Sequence, residues 1–438
     1  MRPASGREVV SAAEEAVWLS DRPADPRVVA LIARLDGHAD LRRLQAAVAA
    51  LLRAQQRLAS RPAAGLFARR WEWGPVSVGG ERVIVASGGA LQVAAVVERL
   101  RTAVAGLRAG LGVGLVQQAE HDTVVLVVHH ALSDGAGALK LLAELLGRGA
   151  WAVRAPTPEP ALADPAVAAD PAPRPSVPGR RLALPQAPSR LAPKLGETGQ
   201  MGYGCQLTTR NPVRAGSRAG PATTNDLLVA STARAVEQWN ASQDGATGRV
   251  VVNMPVNTQP VLDRTSGVGN ATGQAVITVD ELERARDAVL AAVVRQTRQV
   301  KTGREGHVAP AERVVGALQW LPARLRARLL RALARRVAPV LMPTITVSNV
   351  GRTDALFGGG SGAAAGAGAG QPPVQALWFL TTAGMPQGLT VTAASLRGTL
   401  HLAVSYSREL FDDDAGRYFL DLVASGIDEL AEQADVSR

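Results

Sequence analysis

The stretch VVLVVHHALSDGAGALKLLAELL, residues 124–146, limits the fold more than any other part of the chain. Residues 124–128 are apolar at every position, as a strand must be when both faces of its sheet are covered. After Asp134-Gly135 the period changes, and Leu139, Leu142, Ala143 and Leu146 mark one side of a helix. The two histidines thus sit where a central strand ends and a turn begins, a rigid frame that leaves them reachable. At 438 residues the chain exceeds one ordinary core, so two domains are expected.

Upstream, residues 31–35 read as a strand, Asp36-Gly37-His38 as a turn, and Asp40 as the cap of a helix whose buried face is Leu44, Val48, Leu51 and Leu52. Between Pro156 and Pro193 lie eleven of the 27 prolines, which rules out a long helix or an interior strand there. The expected division is an N-terminal half at 1–154, a Pro/Ala-rich linker at 155–196 and a C-terminal half at 197–438. The second half opens with a helix in TTNDLLVASTARAVEQWN and a strand in RVVVNMPVN. A Gly/Ala-rich stretch at 358–370 is expected to be a mobile loop. LTVTAASLRGTLHLAVSYS reads as an antiparallel pair of strands turning at Arg397-Gly398. A terminal amphipathic helix buries Phe419, Leu422, Ile427 and Leu430.

The net charge of +10 comes mostly from arginine and favours anionic partners: acidic lipid, phosphate-bearing co-substrates or acidic carrier proteins. Nucleic acid is disfavoured, because basic and aromatic residues do not interleave. Residues 321–340 carry six arginines among leucines, which reads as an amphipathic helix with a solvated arginine face. The single cysteine, Cys205, excludes an internal disulfide and a cysteine metal cage, and reads as a small buried residue. No apolar run approaches the ~20 residues of a membrane span. The acidic residues near the N-terminus do not fit a signal peptide, so a cytoplasmic protein is expected. Trp71 and Trp73 alternate as strand residues do. His38, His121, His307 and His401 lie apart from acidic or thiol company in the sequence and read as incidental.

The chemistry centres on His129-His130-Ala131-Leu132-Ser133-Asp134-Gly135. Imidazole is the side chain that accepts a proton near neutral pH. Side chains alternate at a strand end, so adjacent histidines face apart and only one serves a given cavity. That arrangement also makes them poor chelators, and no metal is expected. Asp134 at the turn can hold its shape, and Gly135 allows close approach. With no Gly-x-Ser-x-Gly nucleophile elbow in the chain, the simplest role is one histidine acting as a general base.

The same seven residues resemble the HHxxxDG signature of the acyltransferase superfamily that includes chloramphenicol acetyltransferase, condensation domains, polyketide-associated acyltransferases and wax ester synthase/diacylglycerol acyltransferases. Further segments are similar in order: Asp40-Leu41 to Arg61, Asn225-Asp226, Asn253-Met254-Pro255-Val256-Asn257, Gly269-Asn270-Ala271-Thr272-Gly273 and Ser348-Asn349-Val350-Gly351. The resemblance implies two chloramphenicol acetyltransferase-like α/β sandwich halves forming a pseudo-dimer with a tunnel between them. It implies that His130 deprotonates a hydroxyl or amine acceptor, that Asp134 is mainly structural and paired with an arginine, and that His129 and Gly135 support the motif. It places Ser348, Asn349 and Asn270 along the substrate channel. It implies no bound cofactor, with acyl-CoA or a phosphopantetheine-linked acyl group as co-substrate and an acyl carrier protein as a candidate partner.

Two departures narrow the expectation. Gly351-Arg352-Thr353 stands where wax synthases continue with Pro-Gly-Pro, and the plant Asp-Phe-Gly-Trp-Gly is absent. No carrier or adenylation module is read within these 438 residues, so a stand-alone enzyme is expected. The expected activity is therefore acyl transfer in specialised metabolism, antibiotic biosynthesis included. The alternatives are a free-standing condensation enzyme joining carrier-bound units, or a condensation-fold protein with other chemistry or none.

Overall fold

The computed structural model describes residues 6–21, 26–64, 69–73, 83–105, 109–148, 187–195, 202–210, 222–257, 267–280, 288–301, 310–358, 371–382 and 384–436. The proline-rich stretch at 151–186 and most of the Gly/Ala-rich stretch, 359–370, lie outside them, as does His307.

The first half contains β1 (Gly6–Val9), α1 (Ala12–Ser20), β2 (Val28–Leu35), α2 (Leu41–Ala54), β3 (Arg61–Ala64), β4 (Arg69–Trp73), β5 (Val83–Ser87), α3 (Ala90–Val104), β6 (Leu111–Gln117), β7 (Asp122–His129) and α4 (Gly135–Leu145). The second contains β8 (Tyr203–Arg210), α5 (Thr224–Ser242), β9 (Val250–Asn257), β10 (Thr272–Val279), α6 (Ala288–Lys301), α7 (Pro310–Ala317), α8 (Ala323–Leu341), β11 (Ile345–Arg352), α9 (Asp354–Phe357), β12 (Val374–Thr381), β13 (Leu389–Leu396), β14 (Thr399–Ser407) and α10 (Asp413–Val436).

Two mixed sheets organise the halves. One runs β12-β2-β7-β6-β5, the other β10-β9-β11-β13-β14-β8; β1, β4 and β3 form a small third sheet. Every residue of β7 is buried, as its unbroken apolar run requires. Val124, Leu126 and Val128 pack with the leucines of α2 and α4, while Val125 and Val127 pack with α3 on the other face. Each such side chain contributes about 1.5–3 kcal/mol, so this strand is a rigid base for the residues at its end.

The periodicities of the sequence reappear as elements. Asp40 caps α2 by accepting the Arg43 N–H at 3.0 Å, and Leu44, Val48, Leu51 and Leu52 are buried. β13 and β14 are antiparallel across Arg397 and Gly398, whose φ values of 50° and 77° form the tight turn. On α10, Phe419, Ile427 and Leu430 are buried and Leu422 partly so. Trp71 is fully buried.

Three readings change. β12, late in the sequence, pairs antiparallel with β2 and completes the sheet of the first half. A chain-order division hides this, because pairing partners 340 residues apart leave no local signal. His38 is not alone: its Nδ1 lies 3.2 Å from the buried Asp122 carboxylate. Finally, α8 is not an ordinary amphipathic helix. It buries Arg326 and exposes Leu325, Leu329 and Leu333, because Arg326 has a buried carboxylate partner, Glu15.

Candidate active site

β7 ends at His129, a turn carries residues 130–132, and α4 begins at Gly135 with Asp134 as its N-cap. The turn is held from several sides. The His129 N–H donates to Gly110 O at 3.0 Å and the His130 N–H to Arg27 O at 2.8 Å. Asp134 Oδ1 accepts the Gly137 N–H at 2.9 Å, the usual capping bond.

The adjacent imidazoles have different surroundings. His129 is fully buried, and its Nδ1 accepts the Ala131 N–H at 3.2 Å. The ring proton therefore sits on Nε2, which faces Asp21 Oδ2 at 3.3 Å. His130 is half-buried. Asn270 covers one edge of its ring, with Nδ2 3.5 Å from Nδ1 and 3.4 Å from the His130 carbonyl. Among the described residues no group bonds His130 Nε2. Burial lowers the His130 pKa below the ordinary 6.5, against the upward pull of its own backbone hydrogen bond and of Asp134. The imidazole is thus neutral, and a proton acceptor, at neutral pH.

The motif is tied to the second half of the chain. Asp134 Oδ2 accepts the Ala271 N–H and the Thr272 hydroxyl, each at 2.9 Å. Ser133 forms a parallel bridge with Gly269 and donates its hydroxyl to Gly267 O at 2.6 Å. A Cβ on Gly137 would lie 2.4 Å from Gly267 O, so the loop before β10 and the start of α4 approach as only glycine permits. A Cβ on Gly135 would meet Phe379 of β12 at 2.9 Å and Val350 of β11 at 3.2 Å.

Asn270 is therefore brought to His130. Ser348 is buried on β11, and the Asn349 Oδ1 accepts the Gly351 N–H at 2.8 Å, shaping the end of that strand. Neither makes a bond to His130. Sequence reasoning did not single out Asp21, Gly137 or Gly267, and named Thr272 only within a longer segment. Their signal is small residues and a lone carboxylate, which acquire meaning only on tertiary contact.

A cleft of about 670 Å³ lies between the two large sheets. At one end its wall is Val28, Thr381 and Thr382, beside Arg27; Val28 is paired with His129 in the sheet. His130 itself is not part of the wall. Cys205 lines the cleft, and burial pushes its thiol up to about 12, so no thiolate nucleophile forms there.

No protein-family model matches the chain. Two uncharacterized proteins of Mycobacterium tuberculosis, from strains CDC 1551 and H37Rv, are each 30% identical over 298 residues. That match covers 62% of this chain and 64% of each relative. Among solved structures, the trichothecene 15-O-acetyltransferase of Fusarium sporotrichioides is 12% identical, with a TM-score of 0.60 over 98% of this chain and 95% of that one. The wax ester synthase/diacylglycerol acyltransferase of Marinobacter aquaeolei VT8 is 13% identical, with a TM-score of 0.56 over 98% and 100%. A mutant starter condensation domain of rhizomide synthetase, in complex with C8-CoA, is 12% identical, with a TM-score of 0.56 over 98% and 95%. The chain shares its fold with these solved structures.

Proposed function

We infer that the chain is an acyltransferase that moves an acyl group from a thioester to a hydroxyl or amine of a specialised metabolite. The donor would be acyl-CoA or an acyl group on a carrier protein's phosphopantetheine. The observation that carries this reading is His130: a neutral imidazole on a rigid strand end, its Nδ1 edge against Asn270 and its Nε2 unbonded.

In this reading the ring proton is on Nδ1, held by the residue's own backbone carbonyl, and the unprotonated Nε2 takes the proton of the acceptor O–H or N–H as that atom attacks the thioester carbonyl carbon. The new C–O or C–N bond gives a tetrahedral oxyanion, whose collapse breaks the C–S bond. The departing thiolate then recovers the proton from the imidazolium, so no net proton is consumed. General-base catalysis of this kind supplies about 10²–10⁴ in rate, with the remainder coming from holding the two substrates together. Asp134 acts by positioning, since its carboxylate is occupied by Gly137, Ala271 and Thr272. His129 orients the turn, while Asn270, Ser348 and Asn349 would border the substrate path. The inter-sheet cleft is a route for one substrate. The C8-CoA complex of a similarly folded domain supports a coenzyme A donor.

The test follows free thiol release from acyl-CoA thioesters of increasing chain length, with alcohol and amine acceptors, beside His130→Ala. Release that falls by about 10²–10⁴ in the variant is expected; equal release in both proteins overturns the assignment. Silence with every coenzyme A thioester, together with turnover of a carrier-bound donor, assigns the free-standing condensation reaction instead.

A further inference from the structure

Helix α8 is turned the opposite way from an ordinary surface helix. Among its described side chains Ala323, Arg326 and Ala327 are buried and Leu330 is half-buried. Arg326 is 1% exposed and forks onto Glu15 of α1, with Nη2 2.8 Å from Oε2 and 3.0 Å from Oε1. Its Nη1 donates to the carbonyls of Gln319 and Leu321. With that arginine facing in, three leucines face out. Leu325, Leu329 and Leu333 are 53%, 46% and 43% exposed, and their spacing of four sets them in one line along the helix. Arg324, Arg328 and Arg331, all exposed, form a second line beside the first. Trp320, 71% exposed, stands just before the helix, and Met342 just after it.

Single exposed apolar residues are normal on any surface, but these are grouped. Of the thirteen large apolar side chains exposed among the described residues, six fall within residues 314–342. The charge around them has one sign, since no Asp or Glu occurs anywhere from residue 313 to residue 353.

We propose that this face docks on an anionic lipid bilayer. A line of exposed leucines with a tryptophan just before the helix, and exposed arginines beside that line, are what a helix lying in the membrane interface requires. The apolar line enters the boundary between headgroups and acyl chains, and Arg324, Arg328 and Arg331 meet lipid phosphates. A protruding helix suits a fluid surface, which needs no complementary groove. The binding is peripheral, because no helix among the described residues is long and apolar enough to cross a membrane. This docking is independent of the proposed reaction and of His130.

The test is flotation of the full chain with phosphatidylcholine vesicles containing phosphatidylglycerol, compared with phosphatidylcholine alone. Partition onto the anionic vesicles is expected, weaker by about tenfold or more on neutral ones and falling with added salt. The triple variants R324Q/R328Q/R331Q and L325S/L329S/L333S should each lose about tenfold or more of that partition while melting as the parent does. Absence of flotation, equal partition onto neutral vesicles, or indifference to both variants overturns the proposal. A parent dimer in size-exclusion chromatography that the leucine variant splits assigns the face to a second copy of this chain, and also overturns it.

Discussion

His129 and His130 are neighbours with opposite duties because a strand end points them apart. His129 is held at Nδ1 by the Ala131 N–H and has its Nε2 near Asp21, while among the described residues nothing bonds His130 Nε2. Burial lowers the His130 pKa, so the neutral form persists to a more acidic pH than for a free histidine. The acid limb of kcat/KM should therefore have its midpoint below 6.5 and be flat through neutrality. A pH–rate series checks this, and a midpoint at or above 6.5 contradicts it. Asp134→Ala would leave two main-chain N–H donors and the Thr272 hydroxyl without their acceptor, at about 1–3 kcal/mol for each donor left unsatisfied. We expect a lower Tm together with lost turnover, because the same bonds hold the Asn270 loop against His130. Both histidines, Asp134 and Asn270 were legible in the sequence as residue types in a fixed order. Asp21 was not, since a carboxylate beside a proline segment carries no sign of the ring it will face.

At the scale of elements, legibility followed burial pattern. α2, β7, α10 and the β13–β14 pair each have one dominant period, and each formed where that period predicts. α8 has two candidate faces, and its composition does not say which turns inward. Glu15, one of two adjacent acids on another helix, decides it. Removing that carboxylate takes away the bidentate partner of a buried guanidinium, so Glu15→Ala should cost about 3–5 kcal/mol, read as a shifted denaturant midpoint. The loop before β10 was legible only as glycines and an asparagine. Its closeness to α4 depends on Gly137 and Gly267 lying back to back, a contact between segments 130 residues apart.

Over the whole molecule, β12 joins what chain order separates. It adds to the first sheet through β2 and also packs against β13 and β14 of the second. The two halves should therefore melt together, and calorimetry should show one transition; two resolved transitions would show that the shared strand does not couple them. His401 lies on β14 with its ring edge-on to Trp378 of β12, 2% exposed and with neither nitrogen bonded. Burial, with Arg34 nearby, lowers its pKa to about 4. A histidine kept neutral in the fold stabilises it fully above the unfolded value near 6.5, and loses that contribution as pH falls toward 4. His401→Phe should flatten the decline of Tm across that window. The shared strand also bears on how the protein is made. β2 leaves the ribosome early, while its partner β12 is more than 330 residues further along, so at ordinary translation speeds of ~5–20 residues per second an open Val- and Leu-rich edge persists for roughly 20–70 s. During that interval the nascent first half is an unfinished sheet, and chaperones or stray strands compete for the edge until β12 emerges.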